Sequence, residues 1–594
     1  MISLRVPAMS SRQSVRTISA RVCDVPGVQT LEVDLAARTV RVTGPVEAAA
    51  VSAAVAAAGY AVENLPLPAA APTGGTTVDT FATDTAGLPE ATRPEIVELA
   101  DGAVLDLRLG PVAKRLGGTT VRMLTYNGSV PGPTLRVRQG SEIVVRVTND
   151  ADVDTTVHWH GLRLENRYDG VPHETQAPIP VGGSFTYRIS FPDPGLYWYH
   201  PHIREDYTQE MGLYGTILVA PAEPDYWPPA HRDVVLTLDD VLIEDGAIEP
   251  FSRTTTTHAA MGRFGNVLLV DGEPGPELTA RAGEVVRLWL VNTANARVFD
   301  VRLPGARMKL VGGDSGRTEH EEFVPGVLLG PSERAVVDVL FDRPGPLALE
   351  HRTPDRTYRL ATVTVTDEPV EPPLREAFEV LRRAPELEGE RQQLDRWLAA
   401  PPDKILAAVA EMDDTDSDMG HHMDLDMHHA MGSDMGSAMV HGGSHQNAAD
   451  PGSGAGDGIE WEDDMVEMNR ATTPATVRWK LLDRTAGGDG PPVGWRFTAG
   501  ERVKIRLVNE MDSDHPMHHP IHLHGAGRFL VLARDGAPEP NLVWKDTVLL
   551  RRGETVDILF DVTNPGTWMA HCHIPEHMHS GMMFGFTVDP GVPA

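Results

Sequence analysis

The sequence predicts a mainly β protein in which three related β-sandwich domains follow a small βαββαβ unit. Turn formers are abundant, with 56 Gly and 48 Pro, and they punctuate short segments of alternating Val, Leu and Thr. That is the pattern of half-buried strands joined by tight turns. One phrase recurs: GSEIVVRVTND, GEVVRLWLVNTAN and GERVKIRLVNEMD each run from a Gly and a Glu through a strand to an Asn, as expected of copies of one domain. At 594 residues the chain also exceeds what a single hydrophobic core can serve.

Residues 1–65 read as strand, helix, strand, strand, helix, strand. ISLRVPAM alternates, SVRTISARVCDV has helical spacing, TLEVDLAARTVRVTG is a strand–turn–strand, VEAAAVSAAVAAAGY is an Ala-rich helix and AVENLP is a last strand. This order is the split βαβ, or ferredoxin-like, pattern. Residues 66–90, rich in Pro, Ala, Thr and Gly, form a linker. The repeated β-domains are expected at 91–222, 226–368 and 459–594. Between the last two lies an insert, 369–458. Its first half, LREAFEVLRRAPELEGERQQLDRWL, has helical spacing, and its second half is low-complexity Met, His, Asp, Gly and Ser, expected to be disordered without metal.

The formal net charge of −32 repels phosphate backbones and anionic headgroups, so neither nucleic acid nor a membrane is expected as a partner. Cys23 and Cys572, the two cysteines, fall in different domains, which argues against a structural disulfide. No apolar run approaches membrane-spanning length. The N-terminus has neither an uninterrupted apolar core nor a twin arginine, so no export signal is expected and a soluble, monomeric protein is.

Four histidine motifs carry the chemistry: His158-Trp159-His160, His200-Pro201-His202, His519-Pro520-Ile521-His522-Leu523-His524 and His571-Cys572-His573, the last followed by His577 and Met582. Residues i and i+2 of a strand share a face, so each His-x-His presents two imidazoles side by side. Four such pairs could surround a cluster of metal ions. In the fourth motif His571 and His573 point one way and Cys572 the other, so one strand would join a thiolate-ligated metal to an imidazole-ligated cluster. Two His, one Cys and a weak axial Met suit copper, and the scarcity of carboxylates argues against Mg, Ca or Mn. Zinc is the rival metal, but structural zinc sites want four ligands in compact pairs.

HWHG, WYHPH, HPIHLHG and HCHIPEHMHSGMM resemble the copper signatures of the three-domain multicopper oxidases, the laccase and copper-efflux oxidase superfamily. The phrase DGVPHETQAPI resembles that family's first domain. The resemblance implies three cupredoxin-like Greek-key β-sandwich or barrel domains and four coppers. It implies a type 1 copper on His519, Cys572 and His577 with Met582 axial. A type 2 copper would take His158 and His522, and a type 3 pair would take His160, His200, His202, His524, His571 and His573. Cys572 would relay electrons through His571 and His573, and Asp169 would serve proton delivery. The reaction implied is one-electron oxidation of a phenol, aromatic amine or metal ion coupled to reduction of dioxygen to water. Some bacterial members carry a Glu directly after the second type 1 His; here that residue is Met578, which puts this proton route in doubt. His173, His515, His518 and His579 fall off the family spacing and read as loop, solvated or outer-sphere imidazoles. Asp512, Asp514 and Glu576 lie near type 1 ligands in sequence and could favour cationic donors.

The insert interleaves Met412, Met419, Met423, Met427, Met431, Met435 and Met439 with His421, His422, His428, His429, His441 and His445. Thioether favours Cu(I) and imidazole accepts either oxidation state, so extra copper binding is expected there; such segments resemble those of copper-resistance oxidases, which implies cuprous oxidation or copper capture and a link to copper tolerance. The first 65 residues resemble a heavy-metal-associated domain. Its metal-binding Met-x-Cys-x-x-Cys loop is replaced here by Met9-Ser10-Ser11-Arg12-Gln13-Ser14, so this unit is expected to have lost metal binding. The alternative overall reading is a copper-sequestering protein whose turnover is incidental.

Overall fold

In the computed structural model the described residues are 79–412, 457–591 and, within the first 64, mainly 2–9, 30–34, 38–43 and 46–64. Most of the Met/His-rich stretch, the loop after Met9, Cys23 and the first predicted helix therefore lie outside the described residues. In the N-terminal unit, Thr30–Asp34, Thr39–Thr43, Ile2–Arg5 and Glu63–Asn64 line up in that order as one antiparallel sheet, with the helix Ala48–Ala57 contributing Val51 and Val55 to its core. Met9 is buried in that core.

Three two-sheet sandwiches follow. The first packs a sheet ordered His158–His160, Gly195–His200, Gly215–Ala220, Thr134–Arg138, Ile96–Glu98 with a four-stranded sheet built on Glu142–Asn149 and Val104–Leu116. The second sets six strands, centred on Val285–Asn292 and Arg334–Leu340, against five. The third has a sheet centred on Arg502–Asn509 and Thr555–Val562. Its partner sheet is ordered Arg496–Thr498, Met583–Asp589, Gly566–Cys572, His519–Leu523, Thr547–Leu550. Alternation drives this layering. In Glu142–Asn149 every second residue (Ile143, Val145, Val147) is buried.

The recurring phrase has a structural cause. Its strands, Glu142–Asn149, Val285–Asn292 and Arg502–Asn509, occupy equivalent interior positions and each ends on a buried Asn. The Asn149 amide donates to the carbonyls of Val153 and Ile179 at 2.9 and 3.0 Å, Asn292 to Arg297 and Leu329 at 2.7 and 2.9 Å, and Asn509 to Met517 and Arg551 at 2.6 and 3.0 Å. A short polar side chain thereby satisfies loop carbonyls that would otherwise be buried without a donor.

Two expected boundaries need correction. Residues 79–90, placed in the linker on sequence, pack on the first sandwich, where Phe81 is buried in the core and stacks on Tyr207 at 3.8 Å. Lys404–Met412, placed in the insert on sequence, is a strand of the third sandwich, pairing antiparallel with Val477–Asp483 and parallel with Arg502–Asn509. Its Ala-rich middle, Leu406 to Ala410, is buried on both faces of the sheet, so it carries no alternation to read. The helical half of the insert forms Arg375–Glu379 and Pro385–Ala399; Leu387 and Leu394 of the longer helix pack on third-sandwich residues Leu530 and Leu532. No helix among the described residues is long and apolar enough to cross a membrane.

Candidate metal centre

Register places the histidines. His158–His160 pairs antiparallel with Gly195–His200 so that His158 lies opposite His200 and His160 opposite Trp198. In the third sandwich Ile521 lies opposite Cys572 and His522 opposite His571. Opposed residues share a face and neighbours alternate, so His519 and Cys572 look into the third sandwich while His522 and His571 look outward. The outward face meets the histidines of the first sandwich, and all eight imidazoles of the four His-x-His pairs are buried there. His160 stacks on His522 at a centroid distance of 3.8 Å, and His158 lies 4.1 Å from His524. His573 sits 5.0 Å from both His160 and His200, and the Nε2 atoms of His524 and His571 are 3.0 Å apart.

Each ring but one is held by its outer nitrogen. His158 Nδ1 contacts the Asp169 carbonyl at 2.7 Å, His200 Nδ1 that of Pro201 at 2.8 Å, His522 Nδ1 that of Asp546 at 2.9 Å and His571 Nδ1 that of Cys572 at 2.8 Å. Carboxylates hold three more: His524 Nδ1 is 2.8 Å from Asp169, His160 Nε2 is 3.0 Å from Asp546, and His202 Nδ1 is 2.7 Å from Glu205. A carbonyl or carboxylate accepts from the N–H of six of these nitrogens, which fixes the tautomer and turns the other nitrogen inward as a lone pair, while His202 Nδ1 meets Glu205 as a close ion-pair contact. The inner nitrogens His158 Nε2, His160 Nδ1, His200 Nε2, His202 Nε2 and His522 Nε2, with both of His573, are buried without a protein partner. Burial, reinforced by neighbouring imidazoles, holds His160, His200, His522, His571 and His573 well below the usual imidazole range. The rings stay neutral and able to ligate a metal.

Behind them, His519 Nδ1, Cys572 Sγ and His577 Nδ1 form a triangle with edges of 3.3, 3.6 and 3.8 Å. A point about 2.1 Å from every corner exists inside it, within the roughly 2.0–2.3 Å that nitrogen and sulfur take around a first-row metal. Met582 is buried in the same core, and its carbonyl accepts from the Cys572 N–H at 3.0 Å. Burial pushes the Cys572 thiol well up, so the thiolate forms when a cation compensates it. Thiolate, imidazole and thioether together fit copper. The Cys572 carbonyl that accepts from His571 gives the two sites a second link beside the covalent backbone.

The supports of the site come from all three sandwiches, and sequence reasoning found only one of them, Asp169. Burial alone would raise its carboxyl, but His524 and His158 pull it well below the carboxylate range. Asp546, missed on sequence, holds His160 by its side chain and His522 by its carbonyl. It is gripped in turn by Arg334 of the second sandwich at 2.7 and 2.5 Å. A Glu-free position 578 is confirmed only as a buried Met578. The acid on the cluster's outer edge is Glu205, also missed.

Of the off-pattern histidines, His518 is not solvated: it is fully buried and accepts from Glu460 N at 3.1 Å. His579 is an outer-sphere imidazole on Glu205, and His173 is exposed in a turn at φ 63°. Glu576 is buried, so it cannot attract donors from the surface. Asp512 and Asp514 are exposed, and Asp514 accepts from Met412 N at 2.8 Å. His577 itself has no exposed surface, because the loop Ala259–Met261 covers it. Its Nε2 meets the Ala260 carbonyl at 3.2 Å, and Trp479 packs on its ring at 4.2 Å.

Comparison with known proteins agrees with this geometry. Family models for multicopper oxidase match residues 111–224 and 466–592, and a heavy-metal-associated domain model matches 3–61. The chain is 28% identical to the multicopper oxidase MmcO of Mycobacterium tuberculosis over 538 residues, covering 83% of this chain and 88% of the relative. It is 26% identical to a copper resistance protein A homolog of Pseudomonas syringae pv. tomato, covering 81% and 91%. The crystal structure of a multi-copper oxidase from Pseudomonas thermotolerans superposes with a TM-score of 0.58 at 26% identity, covering 83% of this chain and all of that one. The chain is a copper-dependent oxidoreductase of the multicopper oxidase family, with a heavy-metal-associated domain at its N-terminus.

Proposed function

We propose that the protein oxidises a small metal-ion donor, Cu(I) foremost, one electron at a time, and reduces dioxygen to water. The observation that carries the reading is the thiol–imidazole triangle, with edges of 3.3–3.8 Å, whose Cys572 shares the strand Gly566–Cys572 with His571 of the imidazole cluster. The copper set has four members. His519, Cys572, His577 and Met582 would hold the type 1 ion, His158 and His522 the type 2 ion, and His160, His200, His202, His524, His571 and His573 the type 3 pair. When bound, such a set would supply one-electron acceptance at the thiolate site and joint electron delivery to dioxygen at the cluster.

The chain's own residues do the rest. Cys572 supplies the thiolate and, through its backbone and its hydrogen bond with His571, the route inward. Asp169 holds two rings of the cluster and keeps a carboxylate beside it that can pass on a proton. The covering of His577 by Ala260 and Trp479 keeps a flat aromatic donor off the imidazole edge and favours ions over phenols. The Met/His-rich insert supplies soft ligands suited to Cu(I), and similarity to a copper resistance protein A homolog supports a role in copper tolerance. Sequestration by the insert is the competing use of the same residues.

Oxygen uptake by copper-loaded protein with Cu(I), Fe(II), Mn(II) and a phenol in parallel tests the reading. Fastest turnover with Cu(I), slowed by deleting 413–456, supports it. Fastest turnover with the phenol overturns the donor assignment, and copper uptake with negligible oxygen consumption favours sequestration.

A further inference from the structure

Glu205 stands outside every motif of the sequence yet touches both a cluster histidine and the helix that carries His577. It opens the short helix Glu205–Thr208, three residues after His202, and its side chain is buried. One carboxylate oxygen lies 2.7 Å from His202 Nδ1; the other lies 2.6 Å from Nε2 of His579. His579 belongs to the third sandwich and closes the helix Pro575–His579 that carries His577. Its remaining nitrogen, Nδ1, is 2.9 Å from the Thr256 hydroxyl of the second sandwich and 3.4 Å from Asp206. A single carboxylate thus connects a cluster histidine of one domain to the ligand-bearing helix of another.

We infer that Glu205 is a positioning residue that fixes His202 for the imidazole cluster and, through His579, ties the first sandwich to the helix bearing His577. Its carboxylate, in ion-pair contact with Nδ1 at 2.7 Å, leaves His202 Nε2, buried without a protein partner, for the group that also contains His524 and His571. Short helices tolerate small rotations, so the tie to His579 sets where the cluster's two halves meet. The inference rests on the copper assignment above. Carboxylates behind metal-binding imidazoles typically govern metal affinity by about 10–100-fold.

The test compares copper-loaded wild-type protein with Glu205→Ala and Glu205→Gln by chelator titration. Three quantities are followed: total copper, the blue absorption of the thiolate site, and the electron paramagnetic resonance of the cluster. Glu205→Ala is expected to give up cluster copper at about 10–100-fold lower chelator activity while the blue absorption stays at its wild-type strength. Glu205→Gln, which keeps the side chain's shape and a polar oxygen beside His202, is expected to recover most of that loss. Cluster copper in Glu205→Ala as resistant as in wild type overturns the inference. So does a parallel fall of blue absorption and cluster copper in Glu205→Ala that Gln does not reverse, which marks a merely structural role. A wild-type protein without blue absorption instead fails the copper assignment itself, and the two failures are distinct.

Discussion

Replacing Arg334 with Met removes the guanidinium that links the second sandwich to the cluster, and the structure sets the size of the effect. Arg334 is buried and donates to both Asp546 oxygens at 2.7 and 2.5 Å, and to the carbonyls of Leu196, Ser332 and Asp314 at 3.0, 3.0 and 3.2 Å. The neighbouring buried acids are Asp314 and Glu333, and Lys545 serves them from 3.3 and 3.2 Å. With Arg334 gone, Asp546 keeps only neutral partners, His160 and Thr547. Leaving a buried carboxylate unpaired costs about 3–5 kcal/mol, and the three orphaned carbonyls push the value toward the upper end. Denaturant unfolding of copper-free Arg334→Met, Asp546→Asn and the double variant measures it. Each single change is expected to destabilise, and the double by about 2–3 kcal/mol less than their sum, as contacting partners do. A cost below about 1 kcal/mol for Arg334→Met, or strict additivity of the pair, refutes the reasoning.

Four further outcomes are expected. Cys572→Ser abolishes the blue absorption and oxidase turnover while the far-ultraviolet dichroism is kept; unchanged turnover contradicts the electron route. Met582→Leu raises the potential of the thiolate copper, because a weak donor to the oxidised ion is removed; a redox titration showing a lowered or unchanged potential argues against an axial role. Gly170→Ala destabilises by about 2–4 kcal/mol. Its φ is +84° and an added Cβ would stand 2.0 Å from the Val157 carbonyl, so a thermal scan matching wild type refutes the packing described around Asp169. The buried His351, lowered to about 3 mainly by burial and then by Arg297, resists protonation in the folded state. Stability is therefore full above about pH 6.5 and falls as the pH drops, by about 1.4 kcal/mol per unit. His351→Gln flattens that acid limb, and parallel melting-temperature curves for the two proteins contradict it.

The parts of the site legible in the sequence are those that strand periodicity encodes. His-x-His and His-Cys-His announce which side chains share a face before any sheet is assembled, and the thrice-repeated strand ending in Asn announces the sandwich. What stayed hidden depends on long-range closure. Arg334 and Asp546 belong to no local pattern, since Arg334 meets Asp546 and Asp546 meets His160 only after different sandwiches dock; Glu205 lies three residues from His202, but its tie to His579 forms only then. Lys404–Met412 was obscured for a different reason: a strand covered on both sides loses its alternation. The burial of His518 was hidden because it comes from Ala296 and Glu460, distant in sequence.

Diffraction from copper-loaded crystals across the copper absorption edge tests the central claim most directly. The account predicts one anomalous peak between His519, Cys572 and His577 and a group of three enclosed by the eight paired imidazoles. Peaks confined to the surface, or a filled thiol triangle beside a cluster that takes up no metal, contradict it.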